Sequence, residues 1–216
     1  MPALAQHHRV VLYDHRGVGR STAGASDTWT TRTFADDAAV VLEACDIDLA
    51  HVYGHSMGGR VAQRLAVDHP EVVDRLVLAS TTGGDRLDRP RAPGVDAALT
   101  AGDTARMAPL FFTEAFRQDH PEAVELFFVR DAPLRVRRRH FEASRSHDAW
   151  DDLHRIVAPT LVLHGADDPV RSPDSGISLA LRIPTADLLL VPDQLHCPHL
   201  ESADGADAVL DFLADG

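Results

Sequence analysis

The most informative five residues for chemistry place a serine between paired glycines, Gly54-His55-Ser56-Met57-Gly58, a G-x-S-x-G whose hydroxyl could attack a carbonyl. Its flanks give the pattern meaning. Residues 51–55 (HVYGH) read as a short buried strand, and Val61, Ala62, Leu65 and Ala66 recur at helical spacing up to His69-Pro70. A strand-to-helix turn of this kind forces Ser56 into a strained backbone conformation. It leaves no room for side chains at the flanking positions, hence glycine at 54 and 58. The hydroxyl then projects above the C-terminal edge of a sheet. The backbone N–H of Met57, at a helix N-terminus, points where an oxyanion would form.

A serine hydroxyl is a poor nucleophile without a base, and the base needs a carboxylate to orient it. For a strand–turn–helix nucleophile the chain order is serine, acid, histidine. Gly165-Ala166-Asp167-Asp168-Pro169 follows the apolar run 160–164 (TLVLH) and supplies carboxylates at a strand's end. Pro192-Asp193-Gln194-Leu195-His196 follows the run 187–191 and supplies an imidazole. Hydroxyl, carboxylate and imidazole thus fall at three strand ends in the required order, which predicts nucleophilic acyl chemistry.

Elements must carry these ends to one edge. Residues 9–14 (RVVLYD) read as a buried strand ending in a glycine turn, and Phe34, Ala38, Val41, Leu42 and Cys45 mark an amphipathic helix. Residues 75–79 (RLVLA) are a further strand. Strands alternating with helices, apolar on both faces, indicate a parallel sheet covered by helices. The rhythm breaks over 83–150, a helical stretch with the pairs Phe111-Phe112 and Phe127-Phe128 that behaves like a lid. It resumes with strand 160–164, a helix near 175–181, strand 187–191 and a last helix over 203–213. The expected organisation is core over 1–82, lid over 83–152 and core again over 153–216.

Weaker signals take plainer readings. Gly17-Val18-Gly19-Arg20-Ser21 lacks the third glycine and the following helix of a dinucleotide loop and reads as a tight turn. His196, Cys197 and His199 lack the spacing of a zinc site. Cys45 is expected in the core, and Cys197 is expected to pack rather than react. His7, His8, His120 and His147 are expected at the surface, and the run Arg135 to Arg139 on a solvated helix face.

Composition bounds the function. The 216 residues are 44% hydrophobic and 25% charged, as in ordinary globular domains. The net charge of −12 argues against nucleic acid as a partner, and all 21 basic residues are arginine, a compositional bias rather than a mechanism. No apolar run is long enough for a membrane span, no signal core opens the chain, and two cysteines make no disulfide framework. The chain reads as cytosolic.

The stretches VVLYDHRGVGRS, VYGHSMGGRVAQRLAVDHPEVVDRLVLAS, APTLVLHGADDPV and HCPHLESADGADAVLDFL resemble the α/β-hydrolase superfamily, in its lid-bearing esterase, lactonase and haloperoxidase-like branch. They cover nearly everything outside the lid. The resemblance implies a three-layer α/β fold, no cofactor, and a small carboxylic ester or lactone as substrate. Acyl transfer or C–C bond hydrolysis is the alternative, and a catalytically silent ligand binder the rival of another class. It assigns the acid to Asp168, with Asp167 its runner-up and Asp85 a remoter one. The base falls on His196, followed by Glu201, rather than on His199. Met57 becomes the oxyanion donor, and His55, Phe111 and Phe112 the substrate pocket. In the family, three strands precede the segment matching RVVLYD, and a loop after the last of them gives a second oxyanion donor. Only eight residues precede RVVLYD here. A truncated sheet edge is therefore expected, with a slot of about 9.6 Å between RVVLYD and HVYGH and a start lying upstream.

Overall fold

The structure, a computed structural model, describes residues 3–25, 28–91, 93–129 and 132–214. Its frame is a parallel sheet of four strands in the order β1 (Ala50–His55), β2 (Val73–Ala79), β3 (Thr160–Gly165) and β4 (Ala186–Val191). Strand alternation sorts the side chains of β2 and β3 between two faces. Leu76, Leu78 and Val162 pack against α1 (Thr31–Ala44), α2 (Met57–Asp68) and α8 (Pro173–Ala180), while Val77, Ala79, Leu161 and Leu163 pack against α10 (Ala203–Ala214). Both faces are covered, which gives the three-layer α/β architecture and explains why these strands are almost wholly apolar.

Between β2 and β3 run α3 (Val95–Ala101), α4 (Thr104–Phe111), α5 (Glu114–Asp119), α6 (Pro121–Phe127) and α7 (Leu134–Arg145). Their aromatic residues form a cluster of their own, including Phe111, Phe112 and Phe128. Both ends of this excursion meet where the Trp150 indole N–H donates to the Gly84 carbonyl at 2.9 Å and the Ala149 N–H donates to that of Gly83 at 2.7 Å. Two arginines on the buried side of α2 fasten it. Arg60 bonds Asp85 at 2.6 Å and the Ser144 carbonyl, and Arg64 bonds Asp152 at 2.6 Å and the Asp148 carbonyl. Among the described residues no helix is long and apolar enough to cross a membrane.

Three expectations fail here. RVVLYD is not a buried strand: residues 9–15 have no regular structure, Leu12 is 72% exposed and Tyr13 38%. Among the described residues no strand lies beside this segment. A groove of about 510 Å³ separates this segment from β1, lined by Val10, Val11, Val41, Leu42, Val52 and Val61. The Ser56 N–H donates to the Ala79 carbonyl at 2.9 Å. Alternation therefore turns the main-chain groups of His51, Tyr53 and His55 away from β2, toward the free edge of β1. A lone extended segment has no ladder to join. Cys45, expected in the core, caps the C-terminus of α1 half-buried. His147, expected at the surface, is 4% exposed. It accepts from the Thr31 hydroxyl at Nδ1 (2.8 Å) and donates from Nε2 to Gln63 (3.3 Å), a polar pin between α1, α2 and the end of the helical excursion. Gly17 and Gly19 do form the tight turn read in the sequence, at φ +78° and +51°.

Candidate active site

Ser56 sits between the end of β1 and the start of α2 with φ +53° and ψ −114°, a conformation that L-residues rarely adopt. The turn is held from outside: the Thr81 hydroxyl donates to the Ser56 carbonyl at 2.7 Å. Gly54 is obligatory for packing, since a Cβ there would lie 2.6 Å from the Gly58 carbonyl oxygen and 2.8 Å from the Ala62 Cβ. Gly58 is not, contrary to the steric reading of the motif. A Cβ on it meets nothing within 4 Å because it borders the groove. The two alanine substitutions are therefore expected to differ in sign. Gly54→Ala destabilises by about 1–3 kcal/mol through overpacking, whereas Gly58→Ala is neutral or stabilising by up to about 1 kcal/mol through helix propensity. Urea unfolding of the two variants measures this, and equal losses would contradict it.

The acid loop after β3 and the histidine loop after β4 are joined to each other. The Ala166 N–H donates to the Val191 carbonyl at 2.9 Å and the Asp167 N–H to that of Gln194 at 3.0 Å. A Cβ on Gly165 would sit 2.0 Å from the Leu195 oxygen, so only glycine permits this approach. The pairing turns Asp168 inward and leaves Asp167 exposed. Asp168 Oδ1 accepts the N–H groups of Val170 (2.8 Å) and Arg171 (2.9 Å), and Oδ2 lies 2.7 Å from Nδ1 of His196. Nε2 of His196 is 2.9 Å from the Ser56 hydroxyl. An ionised carboxylate only accepts, so Nδ1 carries the proton and Nε2 accepts from serine.

Electrostatics favour that arrangement. Burial alone would raise the Asp168 pKa, but the nearby His196 and the hydrogen bonds from His164 and His196 outweigh it and hold the group well below the usual carboxylate range. Asp85 is engaged elsewhere, bonded to Arg60 at 2.6 Å and Arg171 at 2.9 Å. The Met57 N–H makes no main-chain bond among the described residues, as a free donor beside the hydroxyl requires.

His55 and the phenylalanines fall into different roles. The His55 Nε2–H donates to the His196 carbonyl at 2.8 Å, so it braces the histidine loop from beneath, and burial first, then His196 and His199, push its pKa well down. Phe111, at the end of α4, meets the His196 ring edge-on at 4.7 Å. Phe112 is 1% exposed and stacks on Phe116 at 5.2 Å, inside the helical cluster and away from any open surface. His199 packs its ring on His55 at 4.8 Å and lies off the Ser56–His196–Asp168 line. The Thr113 N–H and hydroxyl both donate to Glu201 (2.9 and 2.6 Å), tying the helical excursion to α9 (Pro198–Glu201) just beyond His196. Among the described residues no three His, Cys, Asp or Glu side chains converge as a metal-binding group.

Comparison with known proteins agrees with this architecture. The family described as alpha/beta hydrolase fold matches residues 1–203. The chain is 34% identical to the putative carbamate hydrolase RutD of Caulobacter sp. (strain K31), over 99% of its own length and 84% of the relative's. It is 31% identical to the 2-hydroxymuconate semialdehyde hydrolase of Pseudomonas sp. (strain CF600), covering 100% of itself and 80% of that protein. Among solved structures, the enol-lactonase of Burkholderia xenovorans LB400 superposes with a TM-score of 0.80 at 27% identity, over 99% of this chain and 84% of that one.

Proposed function

Since the chain belongs to the α/β-hydrolase family and is an enzyme of hydrolase type, we propose that it cleaves a small carboxylic ester or lactone through an acyl-enzyme on Ser56. The observation that carries this reading is the continuous line from the Ser56 hydroxyl to His196 Nε2 (2.9 Å) and from Nδ1 to Asp168 (2.7 Å). His196 takes the serine proton as the Oγ–carbonyl bond forms. The tetrahedral oxyanion faces the Met57 N–H, and His196 returns the proton to the departing alkoxide. Water then attacks the acyl-enzyme, with His196 again the base. Asp168 keeps Nδ1 protonated and stabilises the imidazolium. Met57 is the oxyanion donor of this reading, and loss of such a donor typically costs about 10²–10³-fold in turnover.

Helices α3–α7 act as the lid in this reading, with Phe111 as the wall against the acyl group and with Phe112 and His55 supporting from behind. C–C bond hydrolysis by the same groups is the second reading, favoured by the likeness to the 2-hydroxymuconate semialdehyde hydrolase. A panel of p-nitrophenyl acetate and butyrate, an enol-lactone, an aryl carbamate and a ring-cleavage dienoate separates the readings. Saturable turnover of the esters or lactone, with a burst of p-nitrophenol equal to the enzyme concentration, is the expected result. Turnover of the dienoate alone selects the second reading. Binding without turnover of any member overturns both in favour of a silent ligand binder.

A further inference from the structure

Two imidazoles meet on one oxygen of Asp168. His196 Nδ1 lies 2.7 Å from Oδ2, and His164 Nε2 lies 3.3 Å from the same atom. His164 belongs to the end of β3 and is fully buried. Its tautomer follows from its partners. Nε2 is 3.0 Å from the Arg171 carbonyl oxygen, which can only accept, so Nε2 carries the proton. Nδ1 has no hydrogen-bond partner and faces α8 at Gly176, where a Cβ would come within 2.9 Å of it. A ring so enclosed cannot turn over, and its single N–H is aimed at the acid loop.

We infer that His164 is a positioning residue for the acid: its Nε2–H, shared between the Arg171 carbonyl and Asp168 Oδ2, fixes the carboxylate on the line to His196 and moderates how strongly it holds a proton. This rests on the reading of Ser56 as nucleophile. The geometry gives both effects. Oδ1 is already committed to the N–H groups of Val170 and Arg171, so Oδ2 alone is left for imidazoles. A donor on Oδ2 lowers the proton affinity of the coupled Asp168–His196 pair, because hydrogen bonding to the charged form favours that form.

Other charged and titratable groups surround this pair, among them His199 of α9, whose ring packs on that of His55 at 4.8 Å and whose Nδ1 has no partner. The Arg171 guanidinium bonds Asp85 and Asp88, both at 2.9 Å, and Asp88 also accepts from Ser175 on α8 at 2.8 Å. From the β1 side His55 bonds the His196 carbonyl. From the α9 side comes the Cys197 thiol, whose pKa burial, then Glu201 and Asp168, push well up. None of these offers Oδ2 a substitute donor.

The test reads the rate at which a fluorophosphonate modifies Ser56 against pH, in the parent chain, His164→Gln and His164→Leu. The reaction forms a Ser56 O–P bond, expels fluoride and passes the serine proton to His196. Glutamine can present an amide N–H near the position of Nε2, and leucine cannot. In the leucine variant the rate at pH 7 is expected to fall about tenfold, and the acid limb of the profile to move up by about half to one pH unit. The glutamine variant is expected to stay within about threefold of the parent, with its acid limb unmoved. If the leucine variant does not fold, His164→Asn, whose amide stops short of Oδ2, carries the same expectation. A leucine or asparagine variant with the parent's rate and limb overturns the inference, and so does a glutamine variant as impaired as leucine. A parent chain that is not modified at Ser56 defeats the nucleophile reading itself, and this inference with it.

Discussion

Replacing Ser56 with alanine is expected to lower ester turnover by about 10⁴–10⁶-fold while shifting stability by no more than about 1 kcal/mol. The hydroxyl's hydrogen bond is to His196, and removing it subtracts one neutral hydrogen bond from a fold whose core lies elsewhere. Chemistry loses everything that follows from attack by Oγ. Asp168→Asn tests the same line from the other end. An asparagine can turn its amide N–H toward Nδ1, favouring the tautomer with the proton on Nε2, which leaves no base facing serine; a loss of about 10⁴ is expected. The double variant is expected to be little worse than Ser56→Ala alone, because groups acting as one unit are not additive. Turnover above a tenth of the parent value in Ser56→Ala, measured on the best ester of the panel, would contradict the mechanism.

The second large effect is on stability at acid pH. Burial first, and then positive or imidazole neighbours, hold His147 down at about 2, His199 at about 3 and His15 at about 4. Above about pH 6.5 these rings are neutral in folded and unfolded chains alike and contribute no pH dependence. Below it the unfolded chain takes up protons that the folded chain refuses. Stability therefore falls with falling pH, at about 1.4 kcal/mol per pH unit for each ring, until the folded values are reached. Asp168 acts in the same direction at lower pH: its carboxyl titrates near 3.9 when unfolded but stays ionised when folded, so its contribution is lost as pH drops below about 4. Denaturant midpoints at pH 7.5, 6.0 and 5.0 check this. A steep fall over the last interval is expected, and a flat profile would contradict the burial of these rings.

Local chemistry makes part of this molecule readable in its sequence. The elbow, the acid loop and the histidine loop each join a short apolar strand to a glycine or proline turn. Such a signal is complete within about ten residues, so chain order alone leads to a serine, a carboxylate at 167–168 and an imidazole at 196, while the choice of Asp168 over Asp167 comes from the family resemblance. What failed depended on partners distant in the chain. RVVLYD has the composition of a buried strand, yet a strand exists only beside another, and the groove along β1 takes that neighbour's place. The same groove empties the space around Gly58. His147 is buried by α1 and α2, more than eighty residues earlier, which its sequence neighbours do not reveal. Arg60, Arg64 and His164 carry no pattern of their own. Two arginines on an apolar helix and a histidine at a strand end look incidental until the ion pairs and the shared carboxylate are seen.

One measurement bears most directly on the central claim that Ser56, His196 and Asp168 act as a nucleophilic unit. The folded chain is incubated with a fluorophosphonate at pH 7.5, digested, and the peptide spanning the elbow examined by mass spectrometry. A single adduct on Ser56, formed at least about 100-fold more slowly in His196→Ala, is the predicted result. An adduct confined to another residue, no adduct on well-folded protein, or an equal rate in His196→Ala would contradict it.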